Sequence, residues 1–131
     1  MTNFFSKYII IFYLSNFILL VLYLFPGSLL GCYFYNDCQS QPQITRDFLV
    51  SSNHFYAFSL LSIIGLFTFK NSNKFNYLII YLFILSIIME ITHMFIPERS
   101  FEFPDLFGNL LGVLIVLTVY FFYKKYENYK N

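Results

Sequence analysis

Long apolar runs alternate with short polar joints along the chain. Four runs stand out: Tyr8 to Leu30, Phe48 to Phe69, Phe75 to Ile96 and Leu106 to Tyr123. At about 1.5 Å of helical rise per residue, roughly 20 apolar residues cross about 30 Å of hydrocarbon, and each run approaches or exceeds that length. The first and fourth runs carry no charge, the second has His54 as its one ionisable side chain apart from tyrosine, and the third is free of charge until Glu90. Backbone polar groups in hydrocarbon must be satisfied internally, which leaves helices or closed barrels, and the roughly eight or more alternating strands of a barrel are absent. The pattern predicts an all-α fold, a four-helix transmembrane bundle forming one domain over residues 1–131, with joints of 17, 5 and 9 residues. The polar stretch "KKYENYKN" from Lys124 onward reads as a short, frayed tail.

Composition narrows the class further. The chain is 58% hydrophobic, 24% aromatic and only 11% charged, with a mean hydropathy of +0.62, as expected of a membrane protein rather than a soluble one. Joints this short leave no room for a soluble domain, so any chemistry must sit in the bundle or its loops. A net charge of +1 offers no basic surface for nucleic acid, and the expected partners are membrane lipids. The 19 Phe and 12 Tyr read as packing and interfacial anchors rather than as a cofactor box.

Charge placement suggests sidedness. Lys7, Lys70, Lys74, Lys124, Lys125 and Lys130 all fall on one side of the predicted bundle. The positive-inside rule then puts both termini in the cytoplasm. The other side holds Arg46 and Arg99 with Asp37, Asp47, Glu98, Glu102 and Asp105. Cys32 and Cys38, in "GCYFYNDC" on that side, are a possible disulfide in an oxidising compartment. Lys7, the apolar run and "LLGC" also resemble a lipoprotein-type signal peptide, but the run is longer than the usual core of about 7–15 residues, so the first helix is expected to be retained.

Against this background the segment "MEITHMFIPERSFEFPDLFGNLLG" is unusual. His54 and Glu90 each lie six residues inside the outer end of their runs, at a matched depth of roughly 9 Å. His93 shares the face of Glu90. On the fourth helix Asp105, Gly108, Asn109 and Gly112 form a polar or small stripe, and "GNLLG" is a G-x-x-x-G that admits another helix close to its backbone, within one chain or between chains. The expectation is a polar cluster of His54, Glu90, His93, Arg99, Asp105 and Asn109 in the outer half of the bundle. Ionisable residues at such depth are costly and usually face the interior or a water-filled cavity.

The same segment resembles the VanZ-like family of small membrane proteins. A glutamate near the outer end of a helix is followed by "IPERSFEFPDLFGNLLG", similar to the family's proline, arginine, short spacer, Asp, two or three apolar residues, Asn and Gly. "LFPGSLLG" and "NHFYAFSLLSIIGLF" are also in the family's style. His54, Glu90, Arg99, Asp105 and Asn109 match its recurrent polar positions. Two departures stand out: Val50 and Ser51 replace an Asp-Lys pair before the histidine, and His93 replaces a glutamine. The resemblance implies a multi-pass protein of the bacterial cytoplasmic (inner) membrane and cell envelope, and the family's name comes from a member that raises resistance to teicoplanin.

Several functions remain open on these residues. One is an outer-leaflet pocket that binds or modifies a lipid head group, a lipid-linked cell-wall precursor or an amphiphilic antibiotic, with Arg99 attracting phosphate. Another is an intramembrane enzyme on a lipid-linked substrate in which Glu90 or His54 is the general base. A third is a mononuclear metal site built on Glu90-x-x-His93, with His54 and Asp105 completing the shell; a second Glu-x-x-His for a dinuclear centre is missing. No resident cofactor or metal is expected as the leading reading. A purely structural cluster is the alternative: Asp105 as helix N-cap, Arg99 paired with Glu98 or Glu102, and Glu90 protonated against His54 or Asn109. Four spans enclose little space, so a homodimer or larger membrane complex is also expected.

Overall fold

The structure, a computed structural model, describes residues 2–130, with side chains from Tyr8 onward; the side chain of Lys7 and residue Asn131 lie outside it. All regular elements among the described residues are helices. Three are long and apolar enough to span a membrane, or four if the bent pair at the N-terminal end counts as one span.

Helix α1, Thr2–Leu24, ends at a proline rather than running on to Leu30 as its hydropathy suggests. Pro26 has no N–H to donate and restricts the residue before it, so the helical ladder stops. Gly27 turns the chain with φ +74°, where a side chain is strained, and a Cβ there would lie 2.5 Å from the Cys38 carbonyl oxygen. The chain resumes as α2, Leu29–Tyr35, bent 79° from α1. Ser28 caps α2, its hydroxyl accepting the Gly31 N–H. Ser28 N–H donates to Cys38 O at 2.7 Å, and a Cys32–Cys38 disulfide closes the same turn.

Helix α3, Ser52–Phe69, begins four residues after the apolar run does. Its start is set by polar contacts: Asp47 Oδ1 accepts the Ser52 N–H at 2.8 Å, and the Ser52 hydroxyl donates to Thr45 O. Helix α4, Phe75–Thr92, tightens into a 3₁₀ turn, His93–Phe95, and stops at Ile96, extended as expected before Pro97. Helix α5, Phe103–Lys130, runs straight through the stretch expected to fray, with Tyr123 donating to Glu127 one turn on.

The closest helix pair is α3 and α5, and glycine is the reason. A Cβ on Gly108 would lie 2.7 Å from Ser51 O, and one on Gly112 2.6 Å from Phe55 O. "GNLLG" is therefore used within the chain, to seat α5 on the backbone of α3. Phe58, Leu61, Leu82, Met89, Val113 and Leu117 fill the core between α3, α4 and α5. The C-terminal ends of α1 and α4 and the N-terminal ends of α3 and α5 meet at one end of the bundle, and Lys70, Lys74, Lys124 and Lys125 mark the other.

Candidate functional site

The polar end is organised around Asn109. It is fully buried on α5, one residue after Gly108, and the tight seating of the glycines brings it to the helices opposite. Its amide nitrogen donates to Ser86 O on α4 at 3.1 Å. Its amide oxygen accepts the Tyr23 hydroxyl from α1 at 2.9 Å and faces His54 Nδ1 on α3 at 3.0 Å. One amide thus ties four helices together. Since Ser86 O can only accept, the Asn109 nitrogen must face it, and the oxygen must face His54. Nδ1 of His54 therefore carries a proton, and in the neutral ring Nε2 bears the lone pair.

That lone pair faces a carboxylate: Nε2 of His54 is 3.4 Å from Asp105 Oδ2. A second pair has the same form. Nε2 of His93 lies 3.0 Å from Tyr23 O, a carbonyl that only accepts, so Nδ1 bears the lone pair of the neutral His93 ring and faces Glu90 Oε2 at 3.2 Å. The other oxygen of Glu90 accepts the Glu102 N–H at 2.9 Å, while Oε2 makes no hydrogen bond. Tyr23 stands between the histidines, its ring centroid 4.9 Å from His54 and 5.7 Å from His93. His54, Glu90 and Asp105 each offer one atom within 4.8 Å of the other two.

Five of the six expected polar residues thus lie in one network: His54, Glu90, His93, Asp105 and Asn109. Two details differ from the structural alternative. Asp105 lies inside the first turn of α5 rather than before it, and its carboxylate is turned to His54 rather than acting as the N-cap. Arg99 pairs with neither Glu98 nor Glu102. Its Nη2 donates to Leu22 O at 2.9 Å and its Nε to Phe25 O at 3.2 Å. Leu22 O is the acceptor that an N–H at position 26 would have used, so the guanidinium replaces the donor Pro26 lacks and sits on the negative end of α1. Partial burial pulls the Arg99 pKa down from its ordinary value, opposed by Tyr23, Asp105 and Glu90. Ser51 is buried and its N–H donates to Pro104 O at 3.0 Å, strapping α3 to the start of α5.

Two cavities open beside the network. One, about 380 Å³, is polar, with Arg99, Glu98, Glu102, Asp105, His93, Gln39 and Gln41 on its wall. The other, about 410 Å³, is mostly apolar, with Leu22, Leu30, Ile44, Ala57 and Leu60 beside His54 and Tyr23. Arg99, Ser28 and Gln41 line both. Sequence reasoning missed Tyr23, one tyrosine among twelve, and the main-chain partners Ser86 O, Tyr23 O and Glu102 N–H. The one usable signal was that a buried tyrosine hydroxyl needs a partner.

Comparison with known proteins agrees with this architecture. No curated protein and no solved structure gives a match. A family model described as VanZ/LLP1 matches residues 2–124, from the first turn of α1 almost to the end of the apolar part of α5, taking in every residue of the buried network. The chain is a membrane protein belonging to the VanZ/LLP1 family.

Proposed function

We propose that the protein binds an anionic amphiphile at the polar end of the bundle, on the outer side of the bacterial inner membrane, with both termini in the cytoplasm. The observation that carries this reading is the pair of adjoining cavities, one polar and one apolar, sharing the Arg99 wall. A head group with a phosphate or carboxylate suits the first, where the guanidinium keeps donors beyond the two that it gives to α1. A hydrocarbon chain suits the second, whose flank lies along α3 within the span. A phospholipid, a lipid-linked cell-wall precursor and a lipid-tailed glycopeptide all have this shape, so the link to teicoplanin-type resistance belongs to the same proposal.

A catalytic reading is favoured by a separate observation: His54 Nε2 and Asp105 Oδ2 stand 3.4 Å apart, with Asp105 on the wall of the polar cavity, so the pair can hold one proton between them and exchange it with a lipid-linked substrate in that cavity. In that case Asp105, rather than Glu90, is the partner of His54, since Glu90 Oε2 lies farther away, 3.9 Å from Nδ1.

The test is lipid mass spectrometry of protein purified from its membrane, followed by native mass spectrometry against phosphatidylglycerol and phosphatidylcholine. Wild-type protein should retain phosphatidylglycerol in preference, and Ala57→Phe, which fills the apolar cavity, should reduce retention about tenfold, as expected for about 1.4 kcal/mol. Equal retention of the two lipids, together with unchanged lipid pools in cells with and without the protein, would overturn the binding reading. Altered lipid pools without retention would favour catalysis.

A further inference from the structure

Three residues of the network carry an inference that stands independently of the amphiphile reading. His54, Glu90 and Asp105 come from three different helices and present one nitrogen and two oxygens within 4.8 Å of one another. Among them, Nε2 of His54 and Oδ2 of Asp105 are 3.4 Å apart. For a tetrahedral ion with ligand bonds of about 2.1 Å, neighbouring ligand atoms stand about 3.4 Å apart. A hydrogen bond does not explain this approach while both groups hold their ordinary charge, because neutral His54 has already committed its proton to Asn109 and a carboxylate has none to give.

Glu90 supplies a second observation. Its side chain is completely buried, and Oε2 has no hydrogen-bond partner, although Nδ1 of His93 lies 3.2 Å from it. An unpaired carboxylate oxygen in such a place costs free energy unless a cation meets it. The surroundings also match those of built metal sites. A metal-bound histidine usually donates its other N–H to a carbonyl or carboxylate, and ligating carboxylates are themselves hydrogen-bonded. Here Asn109 Oδ1 accepts from His54 and the Glu102 N–H donates to Glu90. Asp105 also lines the polar cavity, which gives an ion and a water-derived fourth ligand a way in.

We infer that His54, Glu90 and Asp105 form a binding site for one divalent cation of the Zn²⁺ type, with Nε2 of His54 and Oδ2 of Asp105 as two of the ligand atoms, a carboxylate oxygen of Glu90 as the third, and the fourth position open to the polar cavity. Imidazole with two carboxylates favours Zn²⁺ or a neighbouring first-row ion over Ca²⁺ or Mg²⁺, which take oxygen ligands. His93, the partner expected from its spacing to Glu90, is not a ligand in this site. Its Nδ1 lies 3.2 Å from Glu90 Oε2, and its Nε2 is held by Tyr23 O.

The full chain, purified in detergent without a histidine tag and stripped with chelator, is dialysed against Zn²⁺ and analysed by elemental mass spectrometry. About one ion per chain is expected, as for a site of three protein ligands with one open position. Glu90→Gln and Asp105→Asn keep side-chain size and should weaken retention at least about tenfold, as losses around metal sites do, while Glu127→Gln at the far end of α5 should retain the ion as wild type does. X-ray absorption of the wild-type zinc complex, which needs no variant to fold, should show a single imidazole in a nitrogen and oxygen shell. Failure of wild type to retain zinc would overturn the inference and leave shared protons between the two histidines and their carboxylates. A shell with no imidazole or with two, or unchanged binding in both variants, would overturn it as well.

Discussion

At the lysine end of the bundle, Phe12 of α1 packs edge-on against Phe69 at 5.2 Å, and Leu78 of α4 closes over Gly65. At the polar end, α5 rests on main-chain atoms of α3 and one amide connects four helices. The lysine end is held by side chains that can shift; its flanks carry apolar grooves of about 510 Å³ and 470 Å³. The polar end is held by groups with fixed directions and few alternative partners. The contrast teaches that the buried ionisable side chains, His54, Glu90 and His93, all lie at one end, where they face one another, while most charged residues stay exposed on the joints and the C-terminal stretch. If so, equal chemical changes should cost more at the polar end than at the lysine end.

The largest effect is expected at the hub. Asn109→Leu removes the acceptor of Tyr23 and His54 and the donor to Ser86, leaving polar groups buried without partners. A loss of about 3 kcal/mol is expected, read as a lower unfolding midpoint in one detergent. Leu82→Met, a near-isosteric change in the apolar core, should cost under about 1.5 kcal/mol. Equal losses would break the comparison.

The hub also marks the limit of what could be read from the sequence. The spans were legible because hydrocarbon thickness sets a length, and the depth match of His54 and Glu90 follows from helical rise alone. The glycine stripe announces a close approach, and Asn109 stands beside it in the sequence. The break after α1 was legible in principle, since Pro26 and Gly27 stand in the sequence, but hydropathy runs through them and hides the turn. The Arg99 contact was not legible: its partners are carbonyls, identical at every residue, and only the fold decides which ones lie near. Tyr23 was hidden among twelve tyrosines, with nothing local to separate the one that enters the network from those that face lipid.

A second pair of substitutions tests the packing itself. Gly112→Ala places a methyl group 2.6 Å from Phe55 O and 2.9 Å from Ser59 N. Backbone cannot turn aside, so α5 must lift from α3, at a cost of about 2 kcal/mol. Gly65→Ala meets only side-chain carbons, Leu78 Cδ1 at 2.9 Å and Phe12 Cε2 at 3.2 Å, which can change rotamer, and should cost under about 1 kcal/mol. The order of the two unfolding midpoints is the measurement, and a reversal would show that the glycine stripe is not what sets the helix spacing.

The smallest effects sharpen the comparison most, because they delete a single hydroxyl from each half. Tyr23→Phe removes the donor to Asn109 Oδ1 at the polar end. Tyr81→Phe removes a donor to Asn16 Oδ1 between α1 and α4, in a half-exposed position on the groove beside Lys74. Hydrogen bonds between membrane helices average about 0.6 kcal/mol and reach about 1.7. Tyr81→Phe should fall near or below the average, because its acceptor Asn16 retains a link to Phe12 O through its nitrogen and water or a head group can reach the groove. Tyr23→Phe should approach the upper value, because its acceptor is completely buried and the ring's position between His54 and His93 depends on the same bond. A double-mutant cycle with Asn109→Ala separates the two contributions: strong coupling with Tyr23→Phe and none with Tyr81→Phe is expected if the network acts as a unit confined to the polar end.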